Sequence, residues 1–201
     1  MLYICIIFVA VLSYLIGSIP TGYIIVKAKT NQDIRTIGSG STGATNVKRV
    51  LGKNWFFAVL LLDAVKGMIP VLCAKFLALY CADVYGILAV IASIAVIIGH
   101  SKPVFLQFKG GKSVASGVGT ILALNIFVGL IIAVVWASIT YFTRYVSVGS
   151  ILALSLAPFL MYYFNNPICY TIYCAVAAIY IIYLHRSNIK RLIKGEENKV
   201  R

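Results

Sequence analysis

Apolar residues occur in seven runs along the chain, at about 2–26, 55–80, 84–98, 114–124, 126–142, 148–164 and 168–184. Short polar segments rich in glycine, serine, lysine and arginine lie between them. The first two runs reach the roughly 20 residues a helix needs to cross the hydrocarbon core. The other five are shorter, and 114–124 is very short. A tilted, broken or partly re-entrant helix is expected there, because irregular backbone is tolerated where it lines a polar cavity. The pattern predicts an all-α fold, a polytopic transmembrane helix bundle of seven spans, or five or six if the fourth and fifth runs do not both cross. The N-terminus has neither a basic leader nor a small-residue cleavage pattern, so the first run reads as a retained span rather than a signal peptide.

Composition narrows the class. The chain is 61% hydrophobic and only 11% charged, against about a quarter charged in soluble domains. One membrane domain over residues 1–201 is expected. The formal net charge of +13 does not point to nucleic acid, because the cations sit in short loops between apolar runs rather than on a soluble face. Membrane lipids with anionic headgroups and anionic substrates are the expected partners. All of the 18 lysines and arginines except Lys66 and Lys75 fall in alternate connections, the last of them in the tail from Arg186 onward. The excess of cations on cytoplasmic loops then predicts the N-terminus outside and the C-terminus in the cytoplasm. Both glycine-rich loops, the Arg144–Gly149 connection and the tail would share the cytoplasmic face and can converge there. Asp83, on the other side, reads as an ordinary surface residue. No inverted repeat of the transporter kind is evident. Cys5, Cys73, Cys81, Cys169 and Cys174 form no CxxC pair and read as fillers in a helix bundle. With two histidines and five acidic residues, neither a metal site nor a cofactor is expected.

Two loops carry the candidate chemistry. The first runs Gly38-Ser39-Gly40-Ser41-Thr42-Gly43-Ala44-Thr45-Asn46 and reaches Arg49. The second is Lys109-Gly110-Gly111-Lys112-Ser113 at the start of the short apolar run. Glycine N–H groups, small hydroxyls and cations suit the binding of phosphate, with arginine offering a two-pronged fork. A nucleotide-binding loop is not supported, since it needs glycine five positions before Gly111 and Leu106 stands there. Asp63 and Lys66 share a helical face inside a span and read as a structural ion pair. His185 and Asn188 share a face where the last run ends, and His100 reads as a residue that orders its loop. Neither histidine begins a His-x4-Asp pattern, no Ser-His-Asp triad stands out, and the few carboxylates argue against acid-pair or acidic-metal chemistry.

From Gly17-Ser18-Ile19-Pro20 to Gly195-Glu196-Glu197 the chain resembles the acyl-phosphate:glycerol-3-phosphate acyltransferases of bacterial inner membranes (PlsY type). Between those ends come Asp33-Ile34-Arg35, the first glycine loop, Asp63 with Lys66-Gly67, Gly99-His100, Pro103-Val104-Phe105, the second loop, Arg144-Tyr145-Val146-Ser147 and His185-Arg186-x-Asn188. Three positions depart from the family pattern: Ser41 for asparagine, Ser113 for a third glycine and Ser116 for threonine. Serine can still bond phosphate or cap a helix, but a positive φ at Ser113 would be a strain that glycine avoids.

The resemblance implies a seven-helix membrane fold acting at the cytoplasmic face. It implies transfer of a fatty acyl group from acyl phosphate to the 1-hydroxyl of sn-glycerol 3-phosphate, giving lysophosphatidic acid and phosphate, the first acylation of phospholipid synthesis. It implies catalytic roles for Ser39, Arg49, Lys112, His185 and Asn188. Substrate or phosphate contacts are implied for Gly38, Gly40, Gly43, Thr45, Asn46, Gly110, Gly111 and Ser147. Glu197 matches a family glutamate expected to be structural. No cofactor and no metal are implied, and a monomer is expected. Two mechanisms remain open: a substrate phosphate oxygen takes the hydroxyl proton, or His185 does. Apart from the resemblance, a carrier of phosphorylated solutes and a lipid-binding scaffold are the competing classes.

Overall fold

The computed structural model describes residues 2–81, 83 and 85–200. Val84, the expected start of the third run, and Arg201, a cation of the tail, lie outside them. Among the described residues the regular structure is helical: α1 (Leu2–Ser18), α2 (Thr21–Thr30), α3 (Ala44–Leu51), α4 (Lys53–Ala78), α5 (Ile87–Ser101), α6 (Val114–Leu124), α7 (Ile126–Thr143), α8 (Val146–Tyr163), α9 (Ile168–Leu184) and α10 (Arg186–Ile193). Single 3-10 turns occupy Ile34–Thr36 and Val104–Leu106.

The all-α expectation holds among the described residues, and five or six of the expected spans stand out there by length and composition. Five stretches are long and apolar enough to cross a membrane: Leu2–Thr30, Lys53–Ala78, Ile87–Leu106, Ile126–Thr143 and Val146–Tyr163. A sixth is reached only if α9 and α10, bent by 59°, count as one. The helix α6 has 11 residues, about 16 Å of rise, which is short of a hydrocarbon core. Phe8, Leu61, Phe127, Phe159 and Ile179 are each more than half exposed, a surface suited to lipid rather than water.

The chain divides into two compact units, one to Thr120 and one from Ile121. In the first, α5 packs against α1 and α4, and α3 lies on α4. The first apolar run is not one helix. It breaks at Ile19-Pro20, because proline cannot donate to the ladder and its ring disfavours helix at the preceding residue. Close packing of α1 on α5 depends on Gly17 and Gly99: a Cβ on Gly17 would strike the Val96 backbone, and one on Gly99 the Tyr14 carbonyl. Small residues of this kind let helices approach in lipid. Asp83 is more than a surface residue, since its carboxylate accepts from Ile87 N (2.9 Å) and Leu88 N (2.8 Å) and caps α5. Beside the first glycine loop, Val26, Ile34, Ala44, Val47 and Val59 form a small core.

In the second unit α8 packs against α7 and α9. Asn125 caps α7 through Phe127 N and Val128 N, and its amide donates to Asn166 Oδ1 at 3.0 Å. Trp136 Nε1 donates to Ser150 Oγ at 3.2 Å and fastens α7 to α8.

Gly99→Val is expected to force α1 and α5 apart and lower stability by about 1–3 kcal/mol. A drop in thermal unfolding temperature in detergent, larger than that of Val90→Ile on the same helix, is the check.

Candidate active site

The first glycine loop is shaped by one side chain. Asn46, on α3 and 1% exposed, accepts from Ser39 N through Oδ1 at 3.0 Å. Its Nδ2 donates toward the carbonyls of Ile34, Ile37 and Ser41 at 2.9–3.2 Å. Gly38 and Gly40 take φ of +60° and +68°, a region that L side chains enter only at a cost. A Cβ on Gly38 would also collide with Asn46 Oδ1. The sequence reading gave Asn46 a substrate contact. In the structure its amide is spent inside the loop, where both hydrogens and the oxygen hold backbone groups of residues 34–41. Asp33 accepts from Arg35 N and forks with its guanidinium at 2.6 Å. That hydrogen bond holds the Asp33 carboxyl below the usual carboxylate range, against a smaller opposing effect of burial. Ser39 and Arg49 are exposed, while Thr45 and Gly43 are half-buried. Among the described residues Arg49 pairs with no carboxylate.

The second loop lies over a buried polar cluster. Gly110 N donates to Ser101 O at 3.2 Å and Gly111 N to His100 O at 3.0 Å. These two N–H groups, expected to cradle phosphate, are committed to the backbone in this structure. Their glycine identity answers crowding instead. A Cβ on Gly110 would meet the His100 carbonyl, and one on Gly111 would meet the His100 ring. Ser113 has a φ of +60°, so the strain anticipated at this departure from glycine is real. Its hydroxyl compensates by donating to Ile97 O at 2.8 Å. Lys112, half-buried, projects from the same turn. Arg35 Nη1 reaches Leu106 O at 3.4 Å and ties the segment before the first loop to the segment before the second.

Beneath the second loop Asp63 Oδ1 receives Lys66 Nζ at 2.8 Å and the Thr21 hydroxyl at 2.5 Å. Lys66 also donates to Ile19 O at 2.7 Å, on the broken turn between α1 and α2. His100 Nδ1 lies 3.7 Å from the same carboxylate oxygen and 3.1 Å from Ser116 Oγ. The expected ion pair is present, and His100 orders its loop as expected.

The second unit gathers Ser147 and Asn188 around Glu197. Ser147 Oγ donates to Glu197 Oε1 at 2.8 Å, Asn188 Nδ2 to the same oxygen at 2.6 Å, and Arg191 Nε to Oε2 at 2.7 Å. Val200 N donates to Arg144 O at 2.8 Å and fastens the tail further. Burial of Glu197 opposes its ionisation, but the bonds from Asn188, Ser147 and Arg191 outweigh it and hold the carboxyl below its ordinary 4.5. His185 sits at the bend between α9 and α10, where Nδ1 donates to Ile181 O at 2.8 Å. That bond fixes a proton on Nδ1 and sets the orientation of the ring. Arg191 belongs to the motif that continues from Asn188 as Ile189-x-Arg191-Leu192, but the sequence alone assigns it no place in the site. Its signal is the spacing of six to Glu197, which only a tail folded back on α10 makes meaningful.

Lipid-suited helices carrying rigid, cationic, glycine-rich turns define a multi-pass integral membrane protein. Comparison with known proteins makes the class specific. A family model described as glycerol-3-phosphate acyltransferase matches residues 7–195. A glycerol-3-phosphate acyltransferase of Gloeobacter violaceus is 45% identical over 188 residues, covering 94% of this chain and 91% of its own length. One from Prochlorococcus marinus (strain MIT 9301) is 44% identical over 94% of each chain. The crystal structure of PlsY (YgiH), an integral membrane glycerol 3-phosphate acyltransferase, in its glycerol 3-phosphate form has a TM-score of 0.90 at 38% identity, covering 98% of this chain and 96% of that one. Its lysophosphatidic acid form has a TM-score of 0.86 at 37% identity. The chain belongs to the glycerol-3-phosphate acyltransferase family, and the carrier and scaffold readings are set aside.

Two outcomes follow from this geometry. Asp63→Asn leaves the Lys66 charge buried without its counterion and is expected to cost about 3–5 kcal/mol, most of it recovered in Asp63→Leu/Lys66→Met; thermal unfolding of the two variants decides. The Glu197 clip has a lowered folded pKa, so its stabilisation is present above the ordinary glutamate value and is lost as pH falls through the lower folded one. Protease nicking of the tail after Ile193 should rise over that acidic window in the wild type and be high at every pH in Glu197→Gln.

Proposed function

We propose that this protein transfers a fatty acyl group from acyl phosphate to the 1-hydroxyl of sn-glycerol 3-phosphate, releasing 1-acyl-sn-glycerol 3-phosphate and inorganic phosphate. The observation that carries the reading is the likeness, over nearly the whole chain, to PlsY in both a glycerol 3-phosphate and a lysophosphatidic acid form. Those two molecules stand as acceptor and product. The acyl-phosphate donor is supported by the motif pattern and by two cationic loops suited to two phosphate-bearing substrates.

Arg49 and Lys112 hold phosphate and offset the charge of two anions brought together. Ser39 and Thr45 supply hydroxyls on the first loop. Gly38, Gly40 and Gly43 allow its tight path, and Asn46 holds its shape. Ser147, His185 and Asn188 orient the acceptor, with Glu197 fixing the first and last of them. The acceptor oxygen attacks the acyl carbon, a tetrahedral intermediate forms, and its bond to the phosphate oxygen breaks. Acyl phosphate is a mixed anhydride with a good leaving group, so positioning and charge stabilisation supply most of what the reaction needs. The hydroxyl proton passes to a substrate phosphate oxygen in the preferred version and to His185 Nε2 in the other.

Alternating loop charge supports placement in the bacterial inner membrane with the N-terminus outside, the loops at the cytoplasmic face and α6 as a short seventh crossing. Residues 1–201 act as one domain, without cofactor or metal, and as a monomer.

Phosphate release by the purified protein, with acyl phosphate and glycerol 3-phosphate supplied together and separately, tests the reading. Release is expected only with both, and acyl-CoA should not replace acyl phosphate. Arg49→Ala and Lys112→Ala should each lose about 1.5–3 kcal/mol of transition-state binding, about 10- to 150-fold in kcat/KM. His185→Gln should keep appreciable turnover; a loss of about 10²–10⁴ would select His185 as the base. Lack of product from folded protein, or a strict need for acyl-CoA, overturns the proposal.

A further inference from the structure

Two of the five cysteines meet. Cys5 stands in the second turn of α1 and Cys81 just beyond α4, 76 positions apart in sequence, yet their Sγ atoms are 2.7 Å from each other. Both are free thiols; Cys5 is half-buried and Cys81 is 4% exposed. A packing filler accounts for the buried Cys174, but not for two sulfurs in contact from helices that approach each other at one end. The sulfur separation exceeds a disulfide bond of about 2.05 Å by only a fraction of an ångström. The contact also puts the beginning of α1 and the end of α4 at one membrane face. By the distribution of lysine and arginine that face is the outer one, and disulfides form and persist in oxidising compartments of that kind.

We propose that Cys5 and Cys81 are an oxidative modification site, closing to a disulfide on the outer face by exchange with a small-molecule or protein disulfide. The more accessible Cys5 thiolate attacks the oxidant's S–S bond, giving a mixed disulfide on Cys5 and releasing one thiolate. Cys81 loses its proton and attacks Cys5 Sγ, breaking the mixed disulfide and releasing the second thiolate. Two protein thiols are oxidised and one external disulfide is reduced to two thiols. The covalent loop so closed encloses α2, the first glycine loop, α3 and α4. It restricts the unfolded chain and touches none of the residues given a part in acyl transfer. The face assigned rests on the orientation proposed above; the pairing of the sulfurs does not.

Purified protein is incubated with oxidised glutathione, alkylated with N-ethylmaleimide, digested without reductant and read by mass spectrometry. The expected product is a peptide pair joining Cys5 to Cys81, lost with dithiothreitol and absent from Cys81→Ser. The oxidised protein should unfold at a higher temperature than the reduced protein, with unchanged turnover. Recovery of both cysteines alkylated, or of glutathione retained on Cys5, overturns the site. A separate measurement addresses the face. In intact cells a membrane-impermeant maleimide should label Cys5 of the Cys81→Ser variant. Labelling only after permeabilisation overturns the outer-face assignment and leaves the cross-link result to stand by itself.

Discussion

The first unit is organised around the buried pair of Asp63 and Lys66. Both side chains are at least nine-tenths buried, where an isolated charge would be prohibitively costly. Each therefore needs its partner, and each uses its remaining bonding capacity on a different neighbour. Asp63 takes the Thr21 hydroxyl at the start of α2, and Lys66 takes the Ile19 carbonyl at the end of the α1 break. The break exposes a carbonyl that a continuous helix would have used, and the lysine supplies a donor for it. The same carboxylate faces His100, whose ring and carbonyl shape the Gly110-Gly111 turn. A helix interruption and a glycine turn distant in sequence thus depend on one ion pair.

Both glycine-rich loops derive rigidity from bonds that a phosphate does not have to supply. Asn46 satisfies the first loop from within, and the backbones of Ser101 and His100 satisfy the second. Ser39, Gly110 and Gly111 thus have their N–H groups committed to the protein itself, and the two turns hold their shape by internal bonds. Ser113 shows how much variation the scaffold accepts. A non-glycine residue in left-handed backbone is held by a single hydroxyl bond to Ile97, so the family's third glycine is replaced by a residue that offsets its own strain.

The sequence made much of this legible, for identifiable reasons. Hydrophobic run length and loop charge carry the class, because lipid admits only helices that satisfy their own backbone. Asp63 and Lys66 were readable at spacing three, since helix geometry places them side by side. The resemblance located the loops and His185-x-x-Asn188. The direction of a side-chain amide was not readable: whether Asn46 faces substrate or its own turn depends on how residues 34–41 fold back, which no periodicity encodes. The Glu197 clip was equally hidden in its details, because the tail must reverse before Ser147, Asn188 and Arg191 share an acceptor. The seven-run pattern passed over the Pro20 break, whereas the bounds of the short fourth run, 114–124, are those of α6.

Glu197 lies beyond the last helix, yet it orients a hydroxyl at the start of α8 and an amide on α10. None of the apolar helices contains this acceptor, so Ser147 and Asn188 are aligned only when the segment beyond α10 folds back onto them. A chain cut before Glu197 keeps every apolar helix and loses the one carboxylate that aligns these two polar side chains.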